Sequence, residues 1–345
     1  MSKVNSQTLA ASQSRSFCTR ALSNILRSAA STVLLLTATA NATAQDKPVE
    51  TGRDLVEDLH TAFGEHHARA VHAKGIILEG RFEPTRAARS LSRAPLFEHA
   101  TPVIVRFSNF TGFPNIADND PGANPRGMAI KFGSPAAPSL DIVTHNFDGF
   151  PTRTATEFGA LLRAIGTSGP GVAAPTPLDG FLATHPDAKT FLTTQHPAPL
   201  SYATTAYFGV NAVTFTDRNG RARPVRYRFV PAAGEHYFGT GAGPAPDYLQ
   251  PEIAKRFKDG PVRFDWYAQL SERGDLLDDP SIAWPSRRKL VKLGTITIAM
   301  LAANTAEADR ALTFLPGRMP DGIAAADPML ATRTEAYPVS FGERQ

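Results

Sequence analysis

The chain has 345 residues, 42% of them apolar and 20% charged, with a net charge of +4. That balance suits one large globular domain or two ordinary ones and excludes a disordered or collagen-like chain. The only long apolar run, Ala29 to Ala40, spans 12 residues, short of the roughly 20 that cross a bilayer.

In chain order, the first element reads as a removable leader. Lys3, Arg15, Arg20 and Arg27 precede the apolar run, no acid occurs before Asp46, and Ala42-Thr-Ala44 offers small residues at a signal-peptidase spacing. We place a signal peptide over 1–44, cut after Ala44, and a periplasmic protein over 45–345. The leader holds four of the 36 Lys and Arg and none of the 32 acids. The remainder is therefore balanced in charge, and no nucleic-acid partner is suggested. Cys18, the only cysteine, departs with the leader, which removes thiolate catalysis and cysteine-based zinc or iron–sulfur sites. It lies ahead of the apolar stretch, where a lipid-anchoring cysteine would not sit, so no membrane anchor is expected.

Eight short β-branched or alternating runs follow. They are Ala73 to Glu83, Pro102 to Ser108, Arg126 to Gly133, Leu140 to His145, Tyr207 to Asp217, Arg223 to Val230, Val262 to Leu270 and Leu293 to Leu301. In the seventh, Val262, Phe264, Trp266 and Ala268 alternate with Arg263, Asp265, Tyr267 and Gln269, the period of a strand with one covered face. The set predicts an antiparallel eight-stranded barrel. Phe158, Leu161, Leu162 and Ile165 fall on one face of a helix over Thr156 to Ile165, and Asp247 to Asp259 and Asp327 to Ala336 read similarly. Gly166 to Pro177 reads as a loop between helices. The fold class is α+β, in one domain.

Several familiar patterns fail. Gly239-Thr-Gly-Ala-Gly-Pro244 places Pro where a nucleotide loop needs its third glycine. Asp118-Asn-Asp120 opens like a calcium loop but continues to Ala123 and Ala129 where Gly and Glu are required. Gly166-Thr-Ser-Gly169 is one residue short of a nucleophile elbow, and Glu65-His-His67 lacks the spacing of a zinc helix.

Three other segments hold together as a haem site: Arg69-Ala-Val-His72-Ala-Lys-Gly75, then Val105-Arg-Phe-Ser108 with Asp120 to Phe132, then Asp327-Pro-Met-Leu-Ala-Thr-Arg333-Thr-Glu-Ala-Tyr337-Pro338. Taken singly, His72 reads equally as a core histidine and Arg106 as an edge-strand charge. Together the segments resemble the haem catalase superfamily. Arg69 to Gly75 is similar to its distal-histidine motif, Val105 to Ser108 to its V-R-F-S strand, Asn124-Pro-Arg-Gly-Met-Ala-Ile-Lys-Phe132 to its D-P-R-G-F-A-V-K-F segment, and Met329 to Pro338 to its proximal M-L-x-x-R-x-x-x-Y-P pattern. With eight residues after Tyr337, the chain resembles the minimal catalase-related peroxidases, and NADPH is not expected.

The resemblance implies a barrel with surrounding and C-terminal haem-binding helices, haem b as cofactor and Tyr337 as its metal ligand. Tyrosine is a haem ligand in catalase, and Arg333, four residues earlier on the same helical face, can stabilise the phenolate. A negative ligand favours a ferryl intermediate. His72 is the expected acid–base residue, with Ser108 holding its tautomer and Phe158 near the ring. Arg69, Arg106 and Arg344 match arginines that pair with haem propionates.

Two positions depart from the family. Its distal asparagine aligns with His145, with Asn146 one residue later, so either is a candidate for that catalytic role. Its histidine four residues after the ligand is Phe341. The expected activity is reduction of hydrogen peroxide or organic peroxides with a small organic electron donor, by a monomer or small homo-oligomer. Efficient disproportionation, fatty-acid hydroperoxide rearrangement and non-catalytic haem binding are the alternatives.

Overall fold

The computed structural model describes residues 50–134, 136–239 and 243–345. The expected leader and Cys18 lie outside these residues, as does the middle of the Gly239 to Pro244 loop.

All eight runs read from the sequence are strands: β1 (Gly75–Pro84), β2 (Thr101–Ser108), β3 (Gly127–Ser134), β4 (Ala137–His145), β5 (Tyr207–Thr216), β6 (Ala222–Pro231), β7 (Val262–Leu270) and β8 (Leu290–Leu301). They pair antiparallel in the order β4-β3-β2-β1-β8-β7-β6-β5. A further pairing of His145 on β4 with Phe208 on β5 closes the sheet into a barrel. A short β9 (Ile323–Ala325) adds to β5.

Strand alternation sends one set of side chains inward. Phe82, Phe132, Phe229, Phe264 and Trp266 are fully buried there, and Trp266 stacks on Phe229 with centroids 5.7 Å apart. Each such side chain contributes on the order of 1.5–3 kcal/mol on burial, so the barrel has a packed interior and its site must lie elsewhere.

The helices are α1 (Gly52–Phe63), α2 (Arg86–Leu91), α3 (Ala155–Gly166), α4 (Pro177–Thr184), α5 (Pro186–Thr193), α6 (Leu249–Arg256), α7 (Thr305–Ala311) and α8 (Met329–Gly342). Three of these, α3, α6 and α8, fall on the helical runs read from the sequence. The last runs beyond Ala336 through Pro338 to Gly342. Helix α1 is not among the expected elements, although its signals are present. Thr51 and Asp54 form a capping box, and Leu55, Val56, Leu59, Ala62 and Phe63 are buried along one stripe.

Helices α1 and α3 approach closely because α3 presents glycines two turns apart. A Cβ on Gly159 would stand 2.5 Å from Asp58 Oδ2, and one on Gly166 would strike the backbone of Thr61. Arg163 of α3 pairs with Asp58 of α1 across the same contact. Among the described residues no helix is long and apolar enough to cross a membrane.

Candidate functional site

The site is built on the outer face of the barrel. Residues 107 on β2, 128, 130 and 132 on β3, and 140 and 142 on β4 face the core, so their alternates face out. Register sets those alternates in two rows: Ser108, Gly127 and His145 lie side by side, as do Arg106, Ala129 and Val143. Helices α1, α3 and α8 cover this grid. The space between them is a cavity open to solvent at one mouth, the kind of concave, largely apolar cleft in which ligands bind. Leu55 and Val56 of α1 and Phe158 of α3 line it, as do Arg333 and Tyr337 of α8.

His72 enters from the segment before β1. Its backbone sits at φ +56°, a left-handed conformation that costs a non-glycine residue on the order of 1–3 kcal/mol. Arg106 Nη1 donates to His72 O at 2.9 Å and helps hold the strained residue. The ring occupies space that a side chain at position 127 would fill, since a Cβ on Gly127 would lie 2.9 Å from His72 Nδ1 and collide with Ser108 Oγ. Ser108 Oγ and His72 Nδ1 are 3.1 Å apart, and Phe110 meets the ring edge-on at 5.4 Å. Burial first, then His145 and Arg106, push the imidazole pKa down to about 3. His72 is therefore neutral at physiological pH.

Helix α8 brings Arg333 and Tyr337 into contact. Arg333 Nη2 donates to the Tyr337 phenol oxygen at 2.9 Å. The other arm is fixed from behind, with Arg333 Nη1 donating to Asn211 Oδ1 at 2.5 Å and Asn211 Nδ2 donating to Asp327 Oδ2 at 2.8 Å. Asp327 also accepts the Met329 N–H at the start of the helix, at 2.9 Å. Burial raises the Asp327 carboxyl against the opposing bond from Asn211. Neither Asn211 nor Asp327 is among the site residues expected from the sequence. Asp327 falls within the proximal segment, whereas Asn211 sits on β5, 122 residues from Arg333, and nothing local marks it.

The three expected arginines converge. Arg69 and Arg106 both bind the Asp309 carboxylate of α7, at 2.9 and 2.6 Å. Arg69 and Arg344 both donate to Leu312 O, at 2.7 and 2.8 Å. Arg344, two positions from the end of α8, is buried and lines the cavity.

Strand parity separates the two candidates for the asparagine position. His145 points out onto the grid and lines the cavity, and its Nε2 is buried with no partner among the described residues. Burial, then Arg333, push its pKa down to about 3. Asn146 turns the other way. Its Oδ1 accepts the Arg126 N–H at 2.7 Å and its Nδ2 donates to Thr205 Oγ1 at 3.2 Å, and it does not reach the cavity. Phe158 lies at the cavity wall, 4.8 Å from Phe150.

Asp118, which opens the failed calcium-like pattern, takes a structural role. It is buried, accepting from Asn109 Nδ2 at 2.7 Å and Leu249 N at 2.9 Å. Among the described residues no three His, Cys, Asp or Glu side chains are grouped to hold a bare metal ion. The cavity instead suits a broad, mostly apolar group bearing carboxylates and a metal with affinity for a phenol oxygen. Two arginines grip one carboxylate there and a third shares the Leu312 carbonyl with one of them, small residues at 127 and 129 leave the grid low, and buried His145 Nε2 and Arg344 Nε have no partner among the described residues. Haem has those properties.

A barrel wall bearing a neutral imidazole, facing helices that supply a guanidinium-bound phenol, defines a haem-pocket oxidoreductase architecture. The catalase family model matches residues 54–344, and the chain belongs to the catalase family, whose members use haem and act on peroxide. It is 39% identical over 279 residues to a catalase-related peroxidase of Mycolicibacterium paratuberculosis, covering 79% of this chain and 87% of that one. A catalase-related peroxidase of Synechococcus elongatus is 34% identical over 286 residues, covering 80% and 83%. Among solved structures, a fungal catalase superposes with a TM-score of 0.70 at 23% identity, covering 80% of this chain and 59% of that one. Catalase A from Saccharomyces cerevisiae gives 0.68 at 22%, covering 80% and 61%. The chain thus spans about 60% of those two catalases.

Proposed function

We propose that this chain is a haem b peroxidase that reduces hydrogen peroxide or organic peroxides at the expense of a small organic electron donor. The observation that carries the reading is that the His72–Ser108 and Arg333–Tyr337 pairs, drawn from opposite ends of the chain, line one cavity.

When bound, haem supplies an iron centre able to exchange electrons with peroxide. Tyr337, whose phenol oxygen faces the cavity, would hold its iron. The Arg333 guanidinium at 2.9 Å favours the ionised phenol, and Asn211 and Asp327 keep that guanidinium in place. Arg69, Arg106 and Arg344 would take the haem carboxylates, a task suited to a fixed fork of donors. Phe158 and the apolar residues of α1 exclude water from the ring.

His72 moves the proton. With Nδ1–H donating to Ser108 Oγ, the lone pair stands on Nε2, which would accept a proton from one peroxide oxygen and return it to the other, readying that oxygen to depart as water or alcohol when the O–O bond breaks. The two electrons for that cleavage would come from the bound haem and be restored by the donor. Such general acid–base catalysis is worth roughly 10²- to 10⁴-fold. A pKa of about 3 keeps the imidazole in its accepting form. The imidazole of His145 at the family's asparagine position favours donor oxidation over efficient disproportionation, because a second peroxide meets a different hydrogen-bonding group. The charge pattern ahead of Ala44 supports export to the periplasm.

His72→Ala tests the reading. We expect haem to be kept and peroxide reduction to fall at least about 100-fold; unchanged turnover would refute the base assignment.

A further inference from the structure

The arginine cradle contains a residue that the haem reading does not itself assign. Asp309 lies half-buried on α7, a helix that sends no side chain fully into the core, so apolar packing does not dictate where the carboxylate sits. It nevertheless meets two arginines at once. Arg106 grips it fork to fork, Nε to Oδ1 at 2.6 Å and Nη2 to Oδ2 at 2.9 Å. Arg69 reaches Oδ1 with Nε at 3.2 Å and Nη2 at 2.9 Å. Burial alone would raise this carboxyl, but Arg106 and Arg69 outweigh it and hold it well below the usual carboxylate range.

The surroundings fix the clamp. Ile77 N donates to Thr305 Oγ1 at 2.6 Å, which ties the start of α7 to β1. Beyond the helix, Leu312 O receives Arg69 and Arg344, and Leu315 N donates to buried Asp141 at 2.7 Å. Among the described residues no other carboxylate pairs with Arg69, Arg106 or Arg344. Three guanidiniums against one carboxylate leave two positive charges, the number that two haem propionates neutralise. Without the carboxylate, Arg69 and Arg106 would repel each other across a shared site.

We infer that Asp309 is a positioning residue of the propionate cradle, holding Arg69 and Arg106 ready and leaving two charges free for the haem carboxylates. This rests on the haem reading above. It acts by preorganisation: guanidiniums already fixed lose less freedom when the ligand arrives. Arg69 Nη1, which has no partner among the described residues, remains available to an incoming carboxylate.

The test compares two ligands with the same ring and iron. Wild type and Asp309→Asn are loaded with hemin or with hemin dimethyl ester, which carries no carboxylate, and the rate of transfer to excess apomyoglobin is followed by absorbance. We expect Asp309→Asn to lose hemin about tenfold faster than wild type and to lose the ester at the wild-type rate. Equal acceleration for both ligands makes Asp309 a fold-supporting residue only and overturns the inference, as does no change for either. If Asp309→Asn does not fold, Asp309→Glu bears the same comparison, since it keeps the charge but displaces the guanidiniums; a hemin-selective acceleration again supports the inference and an unselective one overturns it. A wild-type protein that takes up the ester as tightly as hemin removes the propionate cradle but leaves haem binding standing. One that takes up neither removes both.

Discussion

Arg333 reaches the Tyr337 phenol oxygen with one arm of its guanidinium and Asn211 with the other, so the hydrogen-bond donor beside the phenol is anchored to the barrel through β5. This side of the pocket is thereby a chain of four side chains, Asp327, Asn211, Arg333 and Tyr337, rather than a tyrosine and an arginine alone.

Asn211→Ala breaks that chain in the middle. It leaves the Asp327 carboxylate and one arm of Arg333 without their partner, which costs about 1–3 kcal/mol. Thermal unfolding of the haem-free variant should show the loss, and hemin should dissociate faster than from wild type. Unchanged melting and unchanged hemin retention would mean that Arg333 is fixed by something else.

Gly127→Ala places a methyl 2.9 Å from His72 Nδ1 and against Ser108 Oγ. Overpacking of this kind costs about 1–3 kcal/mol, and the imidazole must leave its serine. Peroxide reduction should fall by about 100-fold or more while the haem-free protein still folds. Circular dichroism with steady-state turnover on the loaded variant checks both parts.

His145 and Asn146 should separate cleanly. Asn146→Ala leaves the buried Arg126 N–H without its acceptor and should lower stability by about 1–3 kcal/mol. His145→Ala removes a group that faces the cavity and should alter oxygen release and donor oxidation with little loss of melting temperature. Reversed effects would mean that Asn146, not His145, faces the cavity.

The pH dependence follows from two buried histidines. His72 and His145 have pKa values pushed from 6.5 down to about 3, the first by burial, His145 and Arg106, the second by burial and Arg333. The unfolded chain binds protons between those values that the folded chain does not. Stability is therefore full above about pH 6.5 and falls as pH drops toward 3. Melting temperatures of wild type and His145→Gln at pH 7.5 and 4.5 check this; the variant should lose less on acidification.

Much of the fold and site is legible in the sequence because it is periodic or local. Val262, Phe264 and Trp266 declare a strand by alternation, and Arg333 and Tyr337 share a helical face by spacing alone. Helix α1 carries a capping box at Thr51 and Asp54, yet its stripe is short and flanked by polar residues. What the sequence does not show depends on which strands meet. Asn211 reaches Arg333 because β5 pairs with β9 and the segment leading into α8, with Asp327 N donating to Ala212 O, and Asp309 reaches Arg106 across 203 residues. The choice between His145 and Asn146 needs the register of β3 and β4, since neighbouring residues on a strand face opposite ways.

The most direct measurement is the visible absorption spectrum of purified protein reconstituted with hemin, recorded for wild type and Tyr337→Phe. Wild type should form a stoichiometric haem complex with a phenolate-to-iron band that disappears in the variant. Wild-type protein that stays colourless, or a variant spectrum identical to wild type, would contradict axial ligation by Tyr337.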